Sequence, residues 1–406
     1  MILRETLGKI VESQRADLSA MEIGTQREIL KIVDVGLPYA TIISGIRRCG
    51  KSTLLKQLIQ KMPSFYYFNF EDPRIAGFEL VDFQKLNEVF EELYGPAQHY
   101  FFDEIQNIPK WELFVRAMLE KKKKFIITGS NSSMLSKELG SRLTGRHIRQ
   151  ELFPFSFKEM LAFRGKKASI TAFEEYFQQG GFPEYLKYKK NELLRELLND
   201  IIARDIVVRH KLRNEKIIKE IAVFLLTNTG KEFSYNSLAK LFNLGSVNSA
   251  ILYASYFEDS YLLFTVPKFD YSMKKQLVNP KKIYSIDNGL SKVNSASFSA
   301  DKGRMLENTV FVHLKQKYHD IFYFKEKNEC DFLVKEKEKI TKAIQVCFEL
   351  SEDNKDREIQ GILEALKKFK LKQGIILTYN QEDTIKTQNK KILIKPAWKW
   401  LLEKQP

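Results

Sequence analysis

GIRRCGKST (Gly45–Thr53) is the stretch whose reading decides the fold. It follows PYATIISG (Pro38–Gly45), a compact apolar run rich in β-formers, as a buried strand requires. It leads into KSTLLKQLIQKM (Lys51–Met62), where apolar residues recur at helical spacing. The order is strand, glycine loop, helix, and the spacing is Gly45-x-x-x-x-Gly50-Lys51-Ser52. Glycines at both ends allow backbone angles and close approach that a Cβ blocks. The amides of such a loop converge on phosphate oxygens, helped by the positive end of the helix. Gly45, Ile46, Arg47, Arg48, Cys49, Gly50, Lys51, Ser52 and Thr53 are therefore the expected nucleotide-binding residues. Lys51 is expected to reach the β- and γ-phosphates and the Ser52 hydroxyl to ligate Mg²⁺.

Working outward, HYFFDEIQ (His99–Gln106) is an apolar strand ending in two carboxylates. Strand ends are where parallel α/β sheets hold ligands. Asp103 is expected to hold the water shell of Mg²⁺ and Glu104 to polarise the attacking water. Between loop and acids, FYYFNFED (Phe65–Asp72) supplies a strand and FQKLNEVFEELY (residues 83–94) a helix. A fourth strand, KFIITGSNSS (Lys124–Ser133), ends in Thr128, Ser130 and Asn131, candidates for sensing the γ-phosphate. SRLTGRHI then carries Arg142 and Arg146, either of which suits transition-state charge, from the same or a neighbouring subunit.

The bulk composition fits such a chain. At 406 residues, two or three domains are expected. With 66 basic and 51 acidic residues the net charge is +15, which favours polyanionic partners. No apolar run approaches the ~18 residues that cross a bilayer, and the N-terminal stretch mixes charges through its apolar residues, unlike a signal peptide. Three cysteines without CxxC spacing (Cys49, Cys330 and Cys347) point to a reducing compartment, hence the cytoplasm.

The chain resembles the bacterial and archaeal ATPases that join an AAA-type ATP-binding domain to a C-terminal domain named DUF4143. The stretches that carry the likeness are GIRRCGKST, FFDEIQNIPKWE, ITGSNSSML, LTGRHIRQELFPFSFKEM, GGFPEY, IYSIDNGL and GRMLENTVFVHL. They run from about residue 40 to about residue 350, and their order is more specific than any piece beyond the phosphate loop. The resemblance implies a P-loop ATPase that uses ATP and Mg²⁺. Neither a base pocket nor a guanine-specific tetrapeptide is readable, so the preference for ATP over GTP has no residue of its own. GGFPEY (Gly180–Tyr185) reads by itself as a turn.

Residues 215–268 read as a winged helix: EKIIKEIAVFLLTNTG, then FSYNSLAKLFNL with a Ser234 cap, then SVNSAILYASYFEDS with a Ser246 cap, and YLLFTVPKF as a closing strand pair. The motif suggests duplex DNA. Its third helix, Ser246–Ser260, has no Lys or Arg, which argues against a simple groove-reading helix and makes packing against a protein or the ATPase lid the alternative to DNA contact.

From residue 302 the order α-β-β-β-α-β resembles the PD-(D/E)xK nuclease fold. The likeness places Glu307, Asp331, Gln345 and Cys347 at the positions that gather a metal and activate water. Cys347 stands where that fold has lysine. Lys342 falls on the other face of its strand and Lys335 lies ~13 Å along from Asp331, so no substitute lysine is expected. A nuclease without that cation and with Gln345 for a carboxylate is degenerate.

The expected fold class is α/β: a P-loop NTPase parallel sheet with a helical lid, a winged-helix domain and a C-terminal α/β restriction-endonuclease-like domain. The expected boundaries are 1–155 for the ATPase core with an N-terminal helix, 156–212 for the lid, 213–275 for the winged helix and 276–406 for the C-terminal domain. Three functions follow as expectations: an Mg²⁺-dependent ATPase switch or motor acting on DNA or a protein client, alone or as a homo-oligomer; a module that holds nucleotide with little turnover; and a metal-dependent nuclease.

Overall fold

The computed structural model describes residues 2–130, 145–297 and 301–403. Two compact units divide the chain, Met1–Phe153 and Pro154–Pro406. Asn131 and Arg142 lie outside the described residues.

The first unit opens with helix α1 (Arg4–Ala20). Strand β1 (Ala40–Ser44), helix α2 (Lys51–Ile59), strand β2 (Tyr66–Asn69), helix α3 (Asp82–Tyr94), strand β3 (His99–Asp103), helix α4 (Trp111–Glu120), and strands β4 (Lys124–Gly129) and β5 (His147–Glu151) follow. The five strands form one sheet in the order β2-β3-β4-β1-β5, every pair parallel. β1 is buried along its whole length, which is why it shows no alternation of apolar and charged residues. α1, α3 and α4 cover one face through a core rich in aromatics, including Phe68, Phe83, Phe102, Trp111 and Phe114. α2 lies over β3 and β4.

The second unit is mixed α/β. Its helices Phe157–Arg164, Ile170–Gln179, Pro183–Tyr188 and Asn191–Asp200 come first, the last continuing as a π-helical stretch, Ile201–Val208. Then come the helix Glu215–Thr227, β6 (Glu232–Phe233), the helices Tyr235–Leu241 and Val247–Asp259, β7 (Leu263–Pro267) and β8 (Lys281–Ser285). Ser234 and Ser246 cap their helices as expected, accepting from the amides of Ser237 and Ser249. YLLFTVPKF is not itself a strand pair. It supplies β7 alone, and the partner is β8, beyond a thirteen-residue connection that contains the helix Met273–Val278. Lys281 closes that connection by donating to the carbonyls of Gln276, Leu277 and Asn279.

After the helix Asn288–Asn294 comes the helix Lys302–Lys315. Next are β9 (Asp320–Lys325), β10 (Glu329–Glu336), β11 (Lys339–Val346), the helix Glu352–Lys368, β12 (Gln373–Thr378), β13 (Asp383–Thr387) and β14 (Lys390–Pro396). These six strands form a mixed sheet in the order β13-β14-β12-β11-β10-β9. Among the described residues no helix is long and apolar enough to cross a membrane.

Candidate functional site

Parallel pairing gathers the expected residues of the first unit at one sheet edge. Ser44 lies level with Gly129 and Phe102 with Ile127. The loop after β1, the acids ending β3 and the hydroxyls ending β4 therefore share the carboxyl edge. Gly50 has φ +99°, the left-handed region that glycine tolerates. At Gly45 a Cβ would sit 2.1 Å from the Leu152 carbonyl oxygen, so only glycine lets the loop lie against that segment.

Lys51 is buried, and its Nζ donates to the carbonyls of Gly45 (3.2 Å) and Ile46 (3.3 Å). The same ammonium is 3.3 Å from Glu104 Oε1. The Ser52 side chain is hydrogen-bonded to the Asp103 carboxylate. Thr128 ties the acids together: its hydroxyl donates to Asp103 Oδ1 and accepts from the Glu104 amide at 3.0 Å. Glu104 has φ +51°, an uncommon conformation for a side-chain-bearing residue, and Gln106 donates to its Oε2.

The two acids titrate apart. Burial pushes Asp103 up to about 6, the Glu104 charge adds to this, and the hydrogen bonds from Ser52 and Thr128 oppose it. Burial also acts upward on Glu104, but Lys51, Gln106 and Arg47 outweigh it and hold that carboxyl below its usual range. Environments that separate two neighbouring carboxyls are a mark of functional sites. The hard oxygens of Ser52 and Asp103 suit Mg²⁺, which takes few protein ligands and keeps phosphate and water as the rest.

Around this core, Arg47 pairs with Glu71 at 3.1 Å, Arg48 has φ +62°, and Ile46 and Cys49 are buried. Burial pushes the Cys49 thiol up. Thr53 lies in the first turn of α2, and Ser130 is buried just past β4. Arg146 is not brought to the loop. Its carbonyl accepts from Ala40 at the amino end of β1, its side chain lies 3.5 Å from Glu120, and the loop leaves the other end of that strand.

Two arginines not expected from the sequence stand closer. Arg149 on β5 donates to Ser44 Oγ at 3.2 Å. Arg27 is buried and clasps the loop, donating Nη1 to the Cys49 carbonyl (2.8 Å) and Nη2 to the Phe153 carbonyl (2.7 Å). Arg149 falls in the LTGRHIRQELFPFSFKEM stretch and Arg27 in none of the quoted stretches; neither contact is readable from the sequence, because the partners are backbone or hydroxyl groups distant along the chain.

A second polar centre lies in the C-terminal sheet, where Glu307, Asp331 and Gln345 meet. The Asp331 amide donates to Gln345 Oε1 (3.2 Å), and Gln345 Nε2 donates to Glu358 (2.7 Å). The Val346 amide donates to Asp331 Oδ2 at 2.9 Å. A lysine that the reading of β10 and β11 did not find does reach this centre. Lys282, buried on β8, places its Nζ 2.8 Å from Glu307, 2.9 Å from Asp331 and 2.7 Å from Glu329. It arrives from a different sheet, so a face-by-face reading of β10 and β11 misses it. The available signal was a lysine pair opening the short strand KKIYS, all five residues of which are buried, since a buried ammonium demands acids. Burial pushes Glu307 up to about 7, and Asp331 adds to that shift; Tyr284 donates to Glu307 at 2.6 Å. Cys347 Sγ lies 3.0 Å from the Glu349 carbonyl, and burial raises its thiol to about 11. Among the described residues no group of three or more His, Cys, Asp or Glu side chains is arranged to hold a metal.

The GGFPEY and IYSIDNGL stretches also meet. Asp287 accepts from the amides of Gly181 (2.6 Å) and Leu290 (2.9 Å).

A family model described as an AAA domain, AAA_14, matches residues 38–161. Two described as domains of unknown function match residues 170–297 (DUF8612) and 302–399 (DUF4143). The chain is 38% identical over 393 residues to "Uncharacterized protein MJ1544" of Methanocaldococcus jannaschii, covering 89% of this chain and 88% of that one. The chain belongs to the AAA_14/DUF4143 family of AAA-type ATPases. It is also 27% identical over 343 residues to an uncharacterized protein of Haemophilus influenzae, covering 79% of this chain and 85% of that one. Among solved structures, AMPPCP-bound DnaA from Aquifex aeolicus aligns at 16% identity and a TM-score of 0.28, over 57% of this chain and 85% of that chain. The family membership makes the first unit a nucleotide-binding, ATPase-like module; its fold rests on the strand order above, not on that superposition.

Proposed function

We propose that this AAA_14/DUF4143 protein binds ATP with Mg²⁺, hydrolyses it, and uses the cycle as a switch acting on a macromolecular partner. The observation that carries the reading is the convergence of Lys51 on Glu104 and of Ser52 on Asp103, with the Thr128 hydroxyl joining the two acids. In this reading the loop amides and Lys51 hold the phosphates. Ser52 and Asp103 hold Mg²⁺, which neutralises phosphate charge. Glu104, kept ionised by its neighbours, orients water and takes up its proton. Ser130 and Asn131 sense the γ-phosphate, and Arg142 or Arg146 of a neighbouring subunit supplies transition-state charge.

Glu104→Gln tests this. ATP turnover should fall by about 10²–10⁴-fold while the affinity for ATP and Mg²⁺ holds. Turnover equal to an active wild type in that variant removes Glu104 as the base, and negligible turnover by wild type itself sinks the hydrolysis reading and leaves a module that merely holds nucleotide.

The order of three helices and a three-stranded sheet, β6-β8-β7, supports the winged-helix reading of the middle segment. Its third helix exposes Val247, Ile251 and Leu252 and carries no cation, which fits a protein client better than a DNA groove. For the C-terminal centre we propose a non-catalytic role. Lys282 already stands among the acids that a metal would need.

A further inference from the structure

The net charge of +15 has to reside somewhere, and the C-terminal sheet concentrates part of it. β11, β12 and β14 run parallel, so their first residues lie along one edge. That edge is opposite the one holding Gln345 and Cys347, which end or follow β11. Lys339 begins β11, Lys372 immediately precedes β12, and Lys370 lies in the turn between the long helix and that strand. In the β13–β14 hairpin, Lys386 is directly opposite Lys391. Like charges at such a pair repel. Lys337 joins them from the β10–β11 turn. All six are exposed, and none has an ion-pair partner among the described residues. Glu336 and Glu338 are the acids of that turn, and Glu336 is engaged by Thr341 and Lys342.

Aromatic rings interrupt this cationic rim. The β7–β8 connection runs beside β9, the last strand of that sheet, with the Phe269 amide donating to the Tyr323 carbonyl at 2.8 Å, and its rings reach the lysine-bearing end of the sheet. Phe269 packs edge-on against Phe322, Phe369 and Tyr271, with centroids 5.5, 4.9 and 5.2 Å apart. These rings, with Lys339 and Lys370, line a cavity of about 420 Å³. Tyr271 stands at its mouth, 77% exposed. Tyr271 touches Phe269 and leaves most of its ring in solvent, and Asp270 and Glu338 are the acids that share the cavity with the lysines. Rings that stack bases beside cations that track a backbone are the recognition chemistry of single-stranded nucleic acid.

We propose that this edge, rather than the third helix of the middle segment, binds single-stranded nucleic acid, with phosphates along the lysines and a base against Tyr271. Lipid headgroups and acidic proteins share the charge requirement, but neither uses an aromatic cavity for an unstacked base. The surface deepens the switch reading by naming its partner, yet binding here needs no ATP hydrolysis.

The test uses the full chain and a fluorescent single-stranded DNA 20-mer, with matched RNA, duplex DNA and anionic phosphatidylserine vesicles as further arms. Lys370→Glu/Lys372→Glu/Lys391→Glu should weaken single-strand binding at least tenfold and flatten its salt dependence by about 0.7 in log–log slope for each phosphate left unneutralised. Lys121→Glu/Lys167→Glu/Lys219→Glu removes the same charge from scattered exposed positions and should change little. Tyr271→Ala should cost about tenfold on single strands and little on duplex. Equal losses in the two triple variants, a preference for duplex or vesicles, or no single-strand binding by wild type would each overturn the proposal. Binding of a fluorescent ATP analogue by the same variants reports the nucleotide site separately, so failure of one reading is not failure of the other.

Discussion

At the scale of single residues, Lys282 offers the sharpest test. Its ammonium is surrounded by Glu307, Glu329 and Asp331, all within 2.9 Å. That arrangement holds the Lys282 proton well above the usual range: burial opposes the charge, but Asp331, Tyr284, Glu307 and Glu329 together outweigh it. Removing the cation leaves acids buried without a counter-charge. Lys282→Met should therefore lower unfolding stability by about 3–5 kcal/mol, read as a shifted urea midpoint. Adding Glu307→Gln and Asp331→Asn should recover part of the loss, because the stranded charges go with the ammonium. A single variant as stable as wild type would mean the ion pairs are incidental.

At the scale of elements, the two short motifs on either side of the middle segment act as one joint. Gly180 has φ +72°, and a Cβ there would lie 2.1 Å from the Asp287 carboxylate. A Cβ on Gly181 would lie 2.1 Å from the Phe155 carbonyl oxygen and 2.8 Å from its nitrogen. Backbone atoms cannot step aside as a flexible side chain can. Gly181→Ala should lower stability by about 1–3 kcal/mol, seen as a fall in Tm. Gly8→Ala, inside α1 with open space around it, should instead raise stability by about 0.5–1 kcal/mol. Equal effects of the two would show that the joint is looser than its geometry. GGFPEY read alone is a turn; that it grips a carboxylate more than a hundred residues away is not written in either stretch.

At the scale of the whole molecule, stability should depend on pH through His313. Burial first, and Lys317 second, lower its imidazole to about 3. The ring is 2.8 Å from Lys317 Nζ and packs on Trp400. An unfolded histidine takes its proton near pH 6.5. Between those values the unfolded chain binds more protons, so stability falls as pH drops below about 6.5 and is full above it. From pH 7 to pH 5 the loss from this group should approach about 2 kcal/mol. Urea midpoints for wild type and His313→Phe across that range check it: the variant's pH slope should be shallower. Parallel slopes would assign the acid sensitivity to other groups.

The residues proposed to hold phosphate were legible because their chemistry is local. Gly45, Gly50, Lys51 and Ser52 lie within eight consecutive positions, and the flanking periodicities changed from strand to helix across them. Asp103 and Glu104 were legible because a buried parallel strand reads as an apolar run and its polar end marks the ligand edge. The α-β-β-β-α-β order of the C-terminal segment followed from the same alternation. Only the tertiary structure decided which distant groups complete those centres: Arg27 on the loop carbonyl, Thr128 between two acids, Lys282 among three. The reason is physical. Backbone propensity and burial pattern act over a few residues, whereas a buried charge chooses its partner by proximity in space, and strand order, not chain order, sets that proximity.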